Sequence, residues 1–135
     1  MLGYVTVGAN DLAASERFWT AVLVPLGYGR KAGPDGIAFE PPADRLDGLG
    51  AVYVAKPYDG REATVGNGSM GAFRAETHAR VRAVHAAGIA AGGADEGAPG
   101  FRAQYSAHFY VAYLRDPVGN KIAIYCANPA EGIRP

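Results

Sequence analysis

The pattern of apolar and polar positions runs once along this chain and then starts again. Residues 4–8, YVTVG, read as a short strand. After a polar turn, Leu12, Ser15, Phe18, Trp19, Val22 and Leu23 recur at spacings of three and four, which predicts one face of a helix. The same succession restarts at residue 70, with a strand over 70–74 and a helix face of His78, Val81, Val84, His85, Gly88 and Ile89. The stretches Tyr4–Gly27 and Met70–Gly93 register at a constant offset of 66 without a gap. Asn10 or Asp11 suits the cap of the first helix and Thr77 that of the second, because their side-chain oxygens accept from free N–H groups in the first turn.

Strand-like runs follow each helix. In the first half they are Ile37–Glu40 and Gly50–Ala55, with a weaker one at Gly29–Lys31. In the second they are Ala103–Tyr105, Phe109–Arg115 and Lys121–Cys126, the last two joined by the turn sequence DPVGN. Each half therefore reads strand, helix, then about three strands. Module 1 covers about residues 1–55 and module 2 about 70–128, within one domain spanning 1–135. The linker 56–69, KPYDGREATVGNGS, is rich in turn formers, and the tail from Asn128 onward looks loosely held.

Composition narrows the function classes. A chain of 135 residues buries a full core without disulfides or metals. Thirteen basic and thirteen acidic residues cancel, which argues against a broad nucleic-acid or anionic-membrane surface. No apolar run reaches the length of a membrane span, and no basic segment followed by an apolar stretch opens the chain, so a cytoplasmic protein is the expectation. The single cysteine, Cys126, excludes an internal disulfide and reads as a small buried residue. The run GNGSMG matches G-x-G-x-x-G in form but precedes a strand rather than opening a helix, so the dinucleotide reading fails.

Three stretches, VTVGANDLAASERFWTAVLVPLGY, DGREATVGNGSMGAFRA and YLRDPVGNKIAIYC, resemble the vicinal oxygen chelate superfamily. It includes glyoxalases, bleomycin-resistance proteins and extradiol dioxygenases. The middle stretch is similar to a glyoxalase-like bacterial subgroup. The resemblance implies an α+β fold in which two βαβββ modules form an open, cup-shaped mixed sheet with the helices packed outside. It also implies a divalent ion at the base of the cup, chelated by the substrate and held by His and Glu. At the positions where the family carries those ligands this chain has Tyr4, Met70, Ala123 and either Tyr53 or Val54. That set cannot hold a hard cation, so no metal and no cofactor are expected. The function implied is a small-molecule-binding protein of the glyoxalase/bleomycin-resistance type without the usual metal ligands. The alternative is a glyoxalase-like lyase or dioxygenase-related enzyme with a non-standard metal site or metal-free acid–base chemistry. A homodimer, common in the family, is expected, because a half-exposed tyrosine-rich face needs cover.

Among the candidate residues, His78 and His85 lie seven apart on one helix, too far for shared ligation, and read as packing. His108 enters a strand beside the cup and is the acid–base candidate. Glu40, Asp44, Asp47, Asp95 and Glu96 read as solvated loop or strand-end charges, and Asp116 as a turn residue bonding its own backbone. Parity places Tyr125 on the face of Ala123. If Arg115 pairs Lys121, Tyr113 joins them, and a one-residue slip substitutes Tyr110. The expected site is lined by Tyr4, Tyr53, Met70, Tyr125 and one of Tyr110 or Tyr113, with His108 at its rim. Ala123 would leave room for a flat, apolar or aromatic ligand, and Arg102 or Arg74 could meet an acidic substituent.

Overall fold

A computed structural model describes residues 2–42 and 49–135. Strand β1 (Tyr4–Gly8) leads into helix α1 (Leu12–Leu23), a short 3-10 turn (Val24–Leu26), β2 (Gly29–Ala32), β3 (Gly36–Glu40) and β4 (Ala51–Ala55). The second half repeats this as β5 (Gly71–Arg74), α2 (His78–Ala90), β6 (Ala94–Phe101), β7 (Tyr110–Arg115) and β8 (Lys121–Cys126). Each half makes a four-stranded sheet, in order β1-β4-β3-β2 and β5-β8-β7-β6. The first strand lies parallel to the last, and the other pairs are antiparallel. This is the duplicated βαβββ arrangement that the offset predicts.

Local chemistry explains the helices. The Asp11 side chain accepts from the Ala14 N–H at 3.1 Å and the Thr77 hydroxyl from the Arg80 N–H at 3.0 Å. Asn10, the other cap candidate, instead holds the linker. Its Nδ2 donates to the Ala63 carbonyl at 3.1 Å and its Oδ1 accepts from the Ala63 N–H at 2.7 Å. The expected helix faces are buried through Ser15, Phe18, Trp19, Val22 and Leu23, and through Val81, Val84, His85 and Gly88, but Ile89 is exposed. The two helices pack on each other and on the inner sheet faces, around Phe18, Trp19, Phe39, Val54, Leu114 and Ile124.

Three expectations fail. The strand placed at Ala103–Tyr105 is a turn, in which the Tyr105 N–H donates to the Arg102 carbonyl at 3.2 Å. The strand instead spans Ala94–Phe101, so Asp95 and Glu96 sit on it rather than in a loop. Its sequence ADEGAPGF has no alternation and no β-branched residue, so propensity conceals it. It survives as an edge strand with register shifts on both sides of Gly97, where Pro99 costs no central ladder bond. Gly97 is needed there, because a Cβ would lie 2.8 Å from the Tyr113 ring.

The third failure is the tail, which is firmly pinned. The Glu131 carboxylate accepts from the His78 N–H at 2.9 Å, capping α2 from outside. Arg134 Nη1 donates to the carbonyls of Arg102 (2.8 Å), Ala103 (2.8 Å) and Tyr105 (3.2 Å).

Candidate functional site

Register decides which side chains face away from the helices. In module 1, Thr6 pairs Tyr53 and Tyr4 pairs Ala51, while Val5, Val7, Val52 and Val54 point to the core. The Tyr4 and Tyr53 rings meet edge to face at 5.3 Å and are 63% and 40% exposed. In module 2, Arg115 does pair Lys121, so Tyr113 opposes Ala123 and Val111 opposes Tyr125. Tyr110 pairs Cys126 on the opposite, buried face. There it stacks on His78 at 4.3 Å, so Tyr110 belongs to the layer under α2 and not to the outward face.

On that outward face Tyr125 stacks on Phe109 (5.3 Å, 24°), and Tyr105 meets Phe109 edge-on at 5.3 Å. Burial, and then the neighbouring Tyr105 hydroxyl, push the Tyr113 hydroxyl above the ordinary tyrosine range, while Arg102 opposes the shift. Two cations lie over the Tyr113 ring, the Arg102 guanidinium at 5.6 Å and the Lys121 ammonium at 5.0 Å. Arg102 is fixed by the carbonyls of Phe101 and Ala98, at 3.2 and 2.8 Å. These residues form an aromatic shelf with a cationic rim. Ala123 leaves no room there. It is 2% exposed, its small side chain covered by its neighbours, so the space expected from losing a longer residue is closed.

Open space also lies between the modules. A cleft of about 380 Å3 separates the edge strands β1 and β5. Val5, Val7, Trp19, Met70, Phe73 and Ile122 give it apolar walls, and Thr6, Thr64, Ser69 and Asn120 supply polar groups. Lys121 lines it too and thereby joins cleft to shelf. The cleft is braced from both sides. Trp19 Nε1 donates to Asp116 Oδ2 at 3.1 Å, and Asn120 Nδ2 donates to Asp116 Oδ2 at 2.9 Å and to the Gly8 carbonyl at 3.2 Å.

The expected site residues thus fall into three places. Met70 lies in the cleft, Tyr113 and Tyr125 on the shelf, and Tyr4 with Tyr53 on the outer face of module 1. His108 sits in the turn before β7, half-buried, with its Nδ1 enclosed and without a hydrogen-bond partner among the described residues. Glu40 ends β3, and Asp44 and Asp47 lie outside the described residues. Asp116 bonds its own turn as expected, through the N–H groups of Val118, Gly119 and Asn120. Lys121, Phe109 and the cleft role of Trp19 escaped the sequence reading. The signal for Lys121 was its shared parity with Ala123 and Tyr125 on the strand Lys121–Cys126.

The residues at the positions implied for a divalent ion do not fit one. Tyr4, Met70, Ala123 and Tyr53 or Val54 offer phenols, a thioether, a methyl and an isopropyl group, none a normal ligand for a hard cation. Among the described residues no three His, Cys, Asp or Glu side chains converge. No helix among them is long and apolar enough to cross a membrane.

No family model and no curated protein matches the chain. Solved structures do. A glyoxalase/bleomycin resistance protein from Albidiferax ferrireducens T118 is 41% identical, with a TM-score of 0.81 over 93% of this chain and 98% of its own. A glyoxalase/bleomycin resistance protein/dioxygenase family enzyme from Burkholderia phytofirmans PsJN shares the fold at 20% identity and a TM-score of 0.70, over 93% and 97% of the two chains. A glyoxalase-related enzyme from Fulvimarina pelagi does so at 19% and 0.68, over 93% and 87%. The architecture is therefore that of the vicinal oxygen chelate fold, two βαβββ modules flanking an inter-module cleft. Within it, the chain belongs to the glyoxalase/bleomycin resistance protein family.

Proposed function

We propose that this protein binds a small molecule without a protein-held metal ion, in the manner of a bleomycin-resistance protein rather than a glyoxalase. The observation that carries the reading is the inter-module cleft. It is large enough for a ligand, mostly apolar, supplied with a few polar groups, and continuous through Lys121 with an aromatic shelf. The donor set at the implied ligand positions supports the same side. Protein purified without chelator and dialysed against Ni²⁺, Zn²⁺, Mn²⁺ or Fe²⁺ should retain no stoichiometric ion by elemental analysis. Aromatic and aliphatic small molecules should still raise its melting temperature. An ion retained one to one and coordinated at residues 4, 70 or 123 would overturn the reading.

A metal-free lyase is the second reading. It is favoured by the enclosed Nδ1 of His108, which has no hydrogen-bond partner among the described residues. His108→Ala costing turnover of any substrate by about a hundredfold would support it. We also propose that two copies pair through the exposed Tyr4–Tyr53 face. A monomeric mass by light scattering at tens of micromolar would refute that pairing.

A further inference from the structure

Lys121 is the one ionisable residue lining the inter-module cleft among the described residues, and its ammonium lies over the Tyr113 ring of the adjoining shelf. We infer that the cleft takes a monoanionic small molecule with an apolar or aromatic body, its acid group received by the Lys121 ammonium. This rests on the reading of the cleft as a small-molecule site and adds the ligand's charge class.

The carboxylates that could neutralise Lys121 are committed elsewhere. Glu96 feels the charge of Lys121 but is paired with Arg115, Oε1 to Nη2 at 3.0 Å. Asp116, the nearest acid in the turn before β8, accepts from Trp19, from Asn120 and from three backbone N–H groups. The Tyr113 ring, 5.0 Å away, attracts the ammonium but cannot discharge it. A neutral ligand filling the cleft would strip water from this cation and return nothing, and a cationic one would add repulsion. An acid group would gain a charge-assisted hydrogen bond there, with Thr6, Ser69 and Asn120 near at hand as neutral partners. The walls of Val5, Val7, Met70 and Ile122 suit the rest of the molecule.

Trp19, the sole tryptophan, lines the cleft and reports occupancy. Three probes of one shape, phenylacetate, phenylethanol and phenethylamine, are titrated against its emission. Phenylacetate should bind about tenfold or more tighter than phenylethanol, and phenethylamine weakest. Lys121→Met should bring phenylacetate down to the affinity of phenylethanol, which itself stays unchanged. Lys121→Gln, which keeps a polar stem, should do the same and covers a folding failure of the first variant. Binding of all three probes with equal affinity, or a preference that survives both variants, overturns the inference and leaves the binding site standing. Failure of every probe to perturb Trp19 overturns the cleft as a ligand site and the inference with it.

Discussion

Asp116→Asn tests the brace at the module junction. The carboxylate is 4% exposed and accepts five hydrogen bonds. Its Oδ1 takes the N–H groups of Val118, Gly119 and Asn120, at 3.0, 2.9 and 2.8 Å. Asparagine can keep an oxygen there. Its amide nitrogen then stands where Oδ2 was, facing Trp19 Nε1–H and Asn120 Nδ2–H, donor against donor. Two bonds to a charged acceptor are lost, each worth about 1.5–3 kcal/mol, so the variant should lose about 3–6 kcal/mol. That is a large share of the roughly 5–15 kcal/mol by which such domains are stable. With a urea slope of about 1.5 kcal/mol/M, the midpoint should fall by about 2–4 M, read through Trp19 emission. A loss below about 1 kcal/mol would refute the reasoning. So would a Trp19→Phe/Asp116→Asn pair whose effects simply add, because contacting residues in one network should couple.

Three further outcomes follow from other contacts. Asp95 is held below the ordinary aspartate range, first by its bond to His85 at 2.9 Å and then by the Gly97 N–H. A depressed folded value means stability present above the unfolded pKa of 3.8 and lost as pH falls below it. The gap between wild type and Asp95→Asn in urea midpoint should therefore narrow between pH 6 and pH 3, and a constant gap would exclude the His85–Asp95 bond as its cause. Gly88→Ala puts a Cβ 2.6 Å from Leu114 Cδ1 and 3.2 Å from Val22 Cγ2. It should destabilise thermally by about 1–2 kcal/mol despite the better helix former, and a stabilised variant would show that the helices can part. Arg134→Ala frees three carbonyls of the turn behind the shelf, so hydrogen exchange across residues 103–109 should quicken about tenfold while α1 is unaffected. Unchanged exchange there would mean the tail merely rests on the turn.

The sequence made the fold legible because the repeat carries two signals at once. Helix periodicity places Phe18, Trp19, Val84 and His85, and the offset shows that the second set answers the first. β6 stayed hidden because its pairing is held by glycine accommodation and bulges against β7, contacts absent from its own residues. The pinned tail was hidden for a related reason. Glu131 and Arg134 look like solvated ends until α2 and the 102–105 turn bring unpaired N–H and carbonyl groups to them. The site was legible only by parity. Parity placed Tyr113 and Tyr125 on one face once the hairpin register was known, and it left the choice between Tyr110 and Tyr113 to a single residue of slip. It could not find the cleft, because a gap between two sheet edges belongs to neither module's pattern.

The repeat also explains why that gap is asymmetric. Positions 19 and 85 are equivalent under the offset, and each carries a ring N–H on the buried face of its helix. Each finds an aspartate, yet both aspartates belong to module 2. His85 reaches Asp95 within its own module, on the adjacent edge strand, and closes the layer there. Trp19 reaches across to Asp116, 97 residues away, and ties module 1 to the turn that precedes Lys121. The two bonds do different work from one inherited position. The first holds helix to sheet. The second fixes the separation of β1 from β5, because shortening it would drive Trp19 into Phe73, whose ring lies 5.9 Å away, and lengthening it would break the Asp116 network. The cleft is therefore braced by this network, with linker residues Thr64, Gly66 and Ser69 completing its lining. Lys121 follows that brace directly in sequence, after Asn120, so the turn that ties the modules together also brings Lys121 to the cleft lining.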